Sequence, residues 1–165
     1  MLLRWQPLSR ENFAPFGDVI EAGAGTRVSI NDGTTIRYND VADIDVAQDG
    51  GRPIISIFES SPFDFPLEIS MLERHPKGSQ AFIPLDDHPY FVVVAPTGED
   101  VSTDQIEVFL ASGKQGLNYP KGVWHHPVIV MEPMRFLVVD RSEPKSNCDL
   151  FHFPQPGDPL VLERP

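Results

Sequence analysis

Residues 67–75 read Leu-Glu-Ile-Ser-Met-Leu-Glu-Arg-His and alternate apolar and polar side chains as a β-strand does. Successive side chains of a strand point to opposite faces. The residues predicted to share one face are Ile69, Met71, Glu73 and His75. Glu73 and His75 thus extend an apolar row towards the core, where a carboxylate and an imidazole can bind a metal ion or exchange a proton. The alternative is a pair at the rim whose members hydrogen-bond only to each other.

A second group of polar residues lies in residues 119–127, Tyr-Pro-Lys-Gly-Val-Trp-His-His-Pro. Its proline and glycine predict a turn, which leads into a strand with two adjacent histidines, His125 and His126. Neighbouring residues of a strand face opposite sides, so one histidine can enter a pocket while the other packs outward. The alternative is that both histidines are structural.

The rest of the chain predicts an all-β protein. Its 17 prolines are about twice the usual share, and they exclude long helices from most of the chain. Short segments rich in valine, isoleucine and aromatic residues predict strands instead. The predicted strands are residues 34–38, 53–58, 67–75, 80–84, 90–95, 106–110, 122–130 and 135–140.

One short helix is predicted near the N-terminus, where Ser9 can cap residues 9–13 and Gly17 ends the segment. Residues 45–51, rich in glycine and aspartate, read as a loop and not as a linker between domains. The chain shows no repeat of fixed period. We therefore expect a single domain over residues 1–165.

Composition limits the possible partners. The 13 Lys and Arg residues against 24 Asp and Glu residues give a net charge of −11, which disfavours nucleic acids and anionic membranes. The single cysteine, Cys148, cannot form an intrachain disulfide and is expected to be inert. The sequence lacks both a secretory signal and an apolar run long enough to span a membrane, which predicts a cytoplasmic protein.

The two polar groups resemble the paired motifs of the cupin superfamily. Pro120, Gly122 and His125 match the second motif. The first motif of cupins has two histidines separated by one residue and a glutamate further on, and this chain has Glu73, His75 and Gln80 at that spacing. Glutamine is a neutral and weak metal ligand, so this set should bind a metal less firmly than a site with three histidines.

At family level the chain resembles the ureidoglycolate lyases, in residues 8–21, 71–85, 122–127 and 139–149. The resemblance implies an all-β, cupin-type antiparallel barrel of jelly-roll-like form, assembled as a homodimer. It implies cleavage of (S)-ureidoglycolate into glyoxylate and urea during allantoin and purine degradation, with nickel as the cofactor. A divalent ion would then be held by Glu73, His75, Gln80 and His125.

The substrate carries a hydroxyl, a carboxylate and a ureido nitrogen on one carbon, and its collapse requires a base and an acid. His75 or His125 suits the base, and Glu73 can orient its neighbour or serve as the acid. Gln80 can hydrogen-bond the ureido group. The cations expected to bind the carboxylate are Arg37, Arg141 and Lys121. Arg74 falls on the opposite face, where a structural salt bridge is the alternative.

Trp124 and the phenylalanines at positions 82, 91, 109 and 136 are expected in the core and not in the wall of a substrate site.

Two other functions remain open. One is hydrolysis of the ureido amide with release of ammonia, which requires an activated water and a firmer metal site. The other is a small-ligand-binding module without chemistry, because cupin barrels also serve as sensors.

Overall fold

The computed structural model describes residues 1–142, 146–154 and 158–165, and this part of the chain has seventeen strands and one α-helix. The all-β prediction is confirmed, and the arrangement is consistent with a cupin-like fold. The elements in chain order are β1 Leu2–Leu3, β2 Trp5–Pro7, α1 Arg10–Phe13, β3 Asp18–Ile20, β4 Thr26–Ile30, β5 Thr35–Asn39, β6 Pro53–Ser60, β7 Leu67–Glu68, β8 Met71–Arg74, β9 Gln80–Pro84, β10 Tyr90–Ala95, β11 Glu107–Ala111, β12 Gly116–Tyr119, β13 Trp124–His125, β14 Ile129–Val130, β15 Met134–Arg141, β16 Asp149–His152 and β17 Val161–Leu162.

Two larger sheets enclose the main core. One sheet has the order β16-β8-β13-β10-β11-β2, with β14 also paired to β10, and the other has the order β3-β12-β9-β15-β6. The core combines side chains of both sheets, such as Val92 and Phe109 from the first and Phe82, Phe136 and Val138 from the second. Alternation along the strands thus places one apolar face of each sheet against the other.

A smaller core lies on the other face of the first sheet. It includes Leu72, Phe91 and Trp124, and it is covered by the three-stranded sheet β1-β17-β7. Every residue of β10 is buried, because Tyr90, Val92 and Val94 enter the main core while their neighbours enter the smaller one. A strand buried on both faces accounts for the continuous apolar run that the sequence shows at 90–95.

The prediction of one strand over residues 67–75 is wrong in one respect. The segment forms two strands, β7 and β8, which pair with different partners, β17 and β16. The backbone between them bonds elsewhere: the N–H of Ile69 donates to the Leu160 carbonyl at 2.8 Å, and the N–H of Phe153 donates to the Ser70 carbonyl at 3.0 Å. Ile69 consequently packs in the same core as Leu72, and the predicted alternation holds only within β8.

The other predicted strands agree in position, except that residues 122–130 form two short strands, β13 and β14. Several strands of two to five residues were not predicted, among them β1–β4, β12, β16 and β17. No α-helix of the described residues is long and apolar enough to cross a membrane.

The N-terminal helix α1 follows the prediction. The Ser9 side chain accepts from the Asn12 N–H at 3.2 Å, and the Asn12 side chain accepts from the Ser9 N–H at 2.9 Å. Gly17 follows with φ of +150°, and a Cβ there would lie 2.0 Å from the Asn118 carbonyl oxygen. Glycine is therefore required at position 17, where the chain between α1 and β3 approaches Asn118 of β12.

Candidate active site

Strand pairing brings the two polar groups of the sequence together. Glu73 of β8 lies directly opposite His125 of β13, and His75 follows β8 immediately. The N–H of Gly122 donates to the His75 carbonyl at 3.0 Å and so joins the turn before β13 to the end of β8. Gly122 has φ of +77°, a conformation that side chains with a Cβ rarely adopt.

Glu73, His75 and His125 form a compact cluster. Glu73 Oε1 lies 3.6 Å from His125 Nε2 and 3.9 Å from His75 Nε2. One ligand atom from each of the three residues lies within 4.8 Å of the others. Two imidazoles and one carboxylate at this spacing are a donor set that suits a divalent metal ion.

Hydrogen bonds to the backbone orient both imidazoles. His75 Nδ1 donates to the Asn147 carbonyl at 2.7 Å, and His125 Nδ1 donates to the Val123 carbonyl at 3.0 Å. In the neutral form of either ring this hydrogen bond fixes the proton on Nδ1 and leaves Nε2 unprotonated, and neither Nε2 has a hydrogen-bond partner among the described residues. A carbonyl acceptor on the far nitrogen is the usual support for a metal-binding histidine, so the cluster fits a metal ion.

The charge of Glu73 depends on the same imidazoles. Burial raises the pKa of Glu73, but the hydrogen bond that a protonated His125 can donate and the positive charges that His125 and His75 carry when protonated lower it by more. The net pKa lies below its ordinary value, so Glu73 is a carboxylate at neutral pH. The sequence-based option that Glu73 serves as the acid therefore has no support from its environment. Glu73 also accepts from the Cys148 thiol at 3.7 Å, a contact that the expectation of an inert cysteine did not include.

Gln80 extends the polar group from the second large sheet. Its Nε2 donates to Asp140 Oδ2 at 3.3 Å, while its Oε1 is buried and has no partner among the described residues. Gln80 and Glu73 line the same cavity of about 270 Å³. The structure thus places four of the predicted residues, Glu73, His75, His125 and Gln80, in one region of the molecule.

The surroundings of the cluster are largely aromatic. The Tyr119 ring stacks on His125, with ring centroids 4.1 Å apart and an angle of 12° between the planes. Phe82 belongs to the core, as predicted, and also forms part of the cavity wall. The residues lining the cavity are Phe58, Ser60, Ser61, Phe63, Glu73, Gln80, Phe82, Pro127 and Val128.

The three predicted carboxylate-binding cations are not among the described residues that line this cavity. Arg37 is exposed on β5, which pairs with β4. The Arg141 guanidinium is buried and donates to the carbonyls of Gln48 and Ser142. Lys121 is engaged in a 2.8 Å ion pair with Asp45. Their predicted role in binding the substrate thus remains a prediction, and the hydrogen bonds of Arg141 indicate a structural role.

Arg74 and His126 lie apart from the cluster. Arg74 forms a 2.9 Å ion pair with Asp149, and its guanidinium lies 4.7 Å from the centre of the Trp124 ring, as its alternation with Glu73 predicts. His126 is buried beside Phe63, with ring centroids 6.0 Å apart, and burial lowers its pKa. Within the described residues, His126 is not a member of the candidate metal cluster.

Three supporting residues were missed from the sequence. They are Asn147, whose carbonyl holds His75, Asp140, which holds Gln80, and Tyr119, which stacks on His125. Asp140 and Asn147 lie in residues 139–149, where the sequence supported the family resemblance and assigned neither of them a role, and Tyr119 lies at the start of the segment that was predicted to form a turn. The carbonyl oxygen of Asn147 has no signature in sequence, and the contacts of Asp140 and Tyr119 join strands that are distant in the chain, so only the fold identifies them.

An all-β fold that holds two imidazoles and a carboxylate beside a small cavity is consistent with a cupin-like protein that has a candidate metal or acid–base site. Comparison with known proteins gives the family. The family model described as ureidoglycolate lyase matches residues 1–159 of this chain. The chain belongs to the ureidoglycolate lyase family.

Relatives of that name cover almost the whole chain. A ureidoglycolate lyase of Burkholderia mallei is 52% identical over 151 residues, which cover 91% of this chain and 88% of the relative. A ureidoglycolate lyase of Pseudomonas fluorescens is 49% identical over 158 residues, which cover 95% and 94%. One of Pseudomonas aeruginosa is 49% identical over 162 residues, which cover 98% and 95%.

Proposed function

We propose that this protein is a ureidoglycolate lyase that cleaves (S)-ureidoglycolate into glyoxylate and urea, as a step of allantoin degradation. The observation that carries the proposal is the cluster in which two imidazole Nε2 atoms face the Glu73 carboxylate, in a chain of this family. The cavity that Glu73 shares with Gln80 provides space for a small carboxylate substrate.

The reaction removes one proton from the substrate and adds one proton to it. The substrate hydroxyl loses its proton as the carbonyl of glyoxylate forms, the bond from carbon to the ureido nitrogen breaks, and that nitrogen gains a proton to leave as urea. Either His75 or His125 can accept the hydroxyl proton at its unprotonated Nε2. The resulting imidazolium is stabilised by the Glu73 carboxylate and can return the proton to the departing nitrogen.

A divalent ion, nickel by family resemblance, would be held by Glu73, His75 and His125. When bound, the ion would occupy the lone pairs of both Nε2 atoms, so it would itself acidify the substrate hydroxyl, in place of an imidazole base, and supply positive charge to the substrate carboxylate. The two orphaned Nε2 atoms support this assignment. Titration with Ni²⁺, Zn²⁺, Mn²⁺ and Mg²⁺, followed by calorimetry, tests which ion binds.

The products distinguish the proposal from its alternatives. Purified protein is incubated with racemic ureidoglycolate, with and without a chelator, and urea, ammonia, glyoxylate and the remaining enantiomers are quantified. The proposal predicts equal amounts of urea and glyoxylate from the S enantiomer. Ammonia without urea would indicate hydrolysis, and binding without turnover would indicate a ligand-binding module.

We also propose that the chain forms a homodimer through the outer face of the second large sheet. Strand β6 is the edge of that sheet, and its Ile55 and Ile57 are 71% and 55% exposed. Ile57 lies opposite Leu137 of β15, so the apolar row continues inward from the edge. An apolar edge strand of this kind is usually covered by a partner.

Light scattering tests the dimer, and its expected mass is twice the 18.4 kDa of one chain. Replacing both isoleucines by lysine should give a monomer. Leu150→Lys is the matched control, because Leu150 is 55% exposed on β16 and lies outside the proposed interface. A wild-type mass of 18.4 kDa at micromolar concentration would contradict the proposal.

A cytoplasmic location is the remaining proposal. Cys148 is the only cysteine, so the fold is built without disulfides, as is usual in a reducing compartment. Fractionation of cells that produce the protein should recover it with cytoplasmic markers, and recovery with periplasmic markers would reject this location.

A further inference from the structure

The hydrogen bond between Gln80 and Asp140 has a consequence for the choice of substrate. The two residues lie on neighbouring antiparallel strands, where Ala81 of β9 pairs with Val139 of β15. The next position in this register sets Gln80 opposite Asp140, and Gln80 Nε2 donates to Asp140 Oδ2 at 3.3 Å. A carboxylate accepts hydrogen bonds and donates none, so the amide must turn its NH₂ group towards Asp140.

The other end of the amide is thereby fixed. Gln80 is 7% exposed and lines the cavity that holds Glu73, and its Oε1 has no partner among the described residues. The same cavity is lined by Phe58, Phe63 and Phe82, which offer no hydrogen bond, and by Ser60 and Ser61, whose hydroxyl groups do not bond to Gln80 Oε1. An unpaired acceptor among apolar groups costs free energy until a donor reaches it.

We propose that Asp140 is a positioning residue that holds the Gln80 amide so that Oε1 accepts a hydrogen bond from the terminal amino group of a ureido substrate. This inference rests on the proposed function and assigns the residues that recognise one end of its substrate. A fixed acceptor rejects an analogue in which a methyl group replaces the amino group, because the acceptor is then buried unpaired. Asp140 thus acts on specificity through Gln80 and need not touch the substrate.

Two stable ligands test this selection directly. N-carbamoylglycine carries a terminal ureido group, and N-acetylglycine has the same shape with a methyl group in place of the terminal amino group. Their dissociation constants are measured by calorimetry, and their inhibition constants are measured against ureidoglycolate. The wild-type protein should prefer N-carbamoylglycine about tenfold or more, the value of one hydrogen bond left unmade.

Asp140→Asn removes the carboxylate that orients the Gln80 amide and leaves the volume of the side chain almost unchanged. The introduced amide can donate to Gln80 Oε1, which allows the Gln80 side chain to turn its NH₂ group towards the ligand. The preference for N-carbamoylglycine should then fall to about threefold or less, since the acceptor is no longer fixed. Asp86→Asn makes the same chemical change at a residue that does not line this cavity, and it should leave the preference intact.

A second substitution should restore the preference. With Asp140→Asn in place, Gln80→Glu lets the introduced asparagine donate to one carboxylate oxygen, so the other oxygen faces the ligand as an acceptor. The double variant Asp140→Asn/Gln80→Glu should therefore prefer N-carbamoylglycine again. A residue that merely stabilised the fold would show no such rescue, and circular dichroism checks that all variants are equally folded.

Three results would overturn the inference. They are equal affinity of the wild-type protein for the two ligands, a preference that survives Asp140→Asn, and a loss of Ni²⁺ affinity in Asp140→Asn without any change in preference. The last result would assign Gln80 Oε1 to a metal ion instead of an amino group. The ligand preference is measured independently of the reaction products, so a protein that released ammonia would refute the proposed function and leave this test standing.

Discussion

Alanine substitutions of the adjacent histidines His125 and His126 distinguish a residue that takes part in the reaction from one that is structural. His125 is 1% exposed, stacks on Tyr119 and places Nε2 3.6 Å from Glu73 Oε1. Its removal deletes a base or metal ligand, and positioned groups of this kind contribute about 10²–10⁴-fold to the rate. We expect His125→Ala to lower kcat by that factor.

His126→Ala removes a buried ring beside Phe63 and leaves the cluster intact. We expect a loss of about 1–2 kcal/mol in the free energy of unfolding, because a small cavity forms, and a change in kcat of about threefold or less. Both variants are compared in steady-state kinetics at equal folded fraction by circular dichroism.

His125→Asn provides a second variant if His125→Ala fails to fold, since its amide can still donate to the Val123 carbonyl. Equal and small losses of kcat in the His125 and His126 variants would refute the assignment of His125 to the reaction.

Three further predictions follow from the site and its support. Tyr119→Phe should keep kcat and raise the free energy of unfolding by about 1 kcal/mol, because the buried hydroxyl has no partner among the described residues. Tyr119→Leu should lower kcat, because it removes the stack on His125. Urea denaturation measures the free energy of unfolding of both variants, and steady-state kinetics measures their kcat. Dialysis against a chelator should lower Tm and added Ni²⁺ should restore it, and a Tm indifferent to both would argue against a metal site. Hydrogen bonds from Arg135 lower the pKa of Asp86 from 3.8 to about 2. The wild-type protein should therefore have a higher free energy of unfolding than Arg135→Gln, with the full difference above about pH 4 and none once the pH has fallen through about 2. A difference independent of pH would contradict this pairing.

The sequence predicted the members of the Glu73, His75 and His125 cluster because these residues follow local rules. Glu73 and His75 are two residues apart on an extended segment, and the turn at Gly122 precedes the strand of His125. Alternation correctly turned Arg74 away from Glu73. The pairing of Glu73 with His125 across 52 positions came from the family resemblance, since no local pattern specifies which strands are neighbours.

The parts that could not be predicted depend on contacts between distant segments. Ile69 left the predicted face because β7 and β8 pair with strands near the C-terminus. Arg141 is predicted to bind the substrate carboxylate, and its sequence position did not indicate that its guanidinium donates to the carbonyl of Gln48, 93 positions away. Asn147 holds His75 through a backbone oxygen, which any residue possesses. Such partners follow from the folded arrangement and not from residue type.

The most direct test of the account is the turnover of (S)-ureidoglycolate by the wild-type protein and by Glu73→Gln, with glyoxylate and urea measured together. Glu73 is the residue that both imidazoles face, and glutamine keeps its shape while removing its charge. The account predicts equal yields of glyoxylate and urea from the wild-type protein and a fall of about 10²–10⁴-fold in kcat for the variant. Unchanged turnover in a folded Glu73→Gln protein would contradict it.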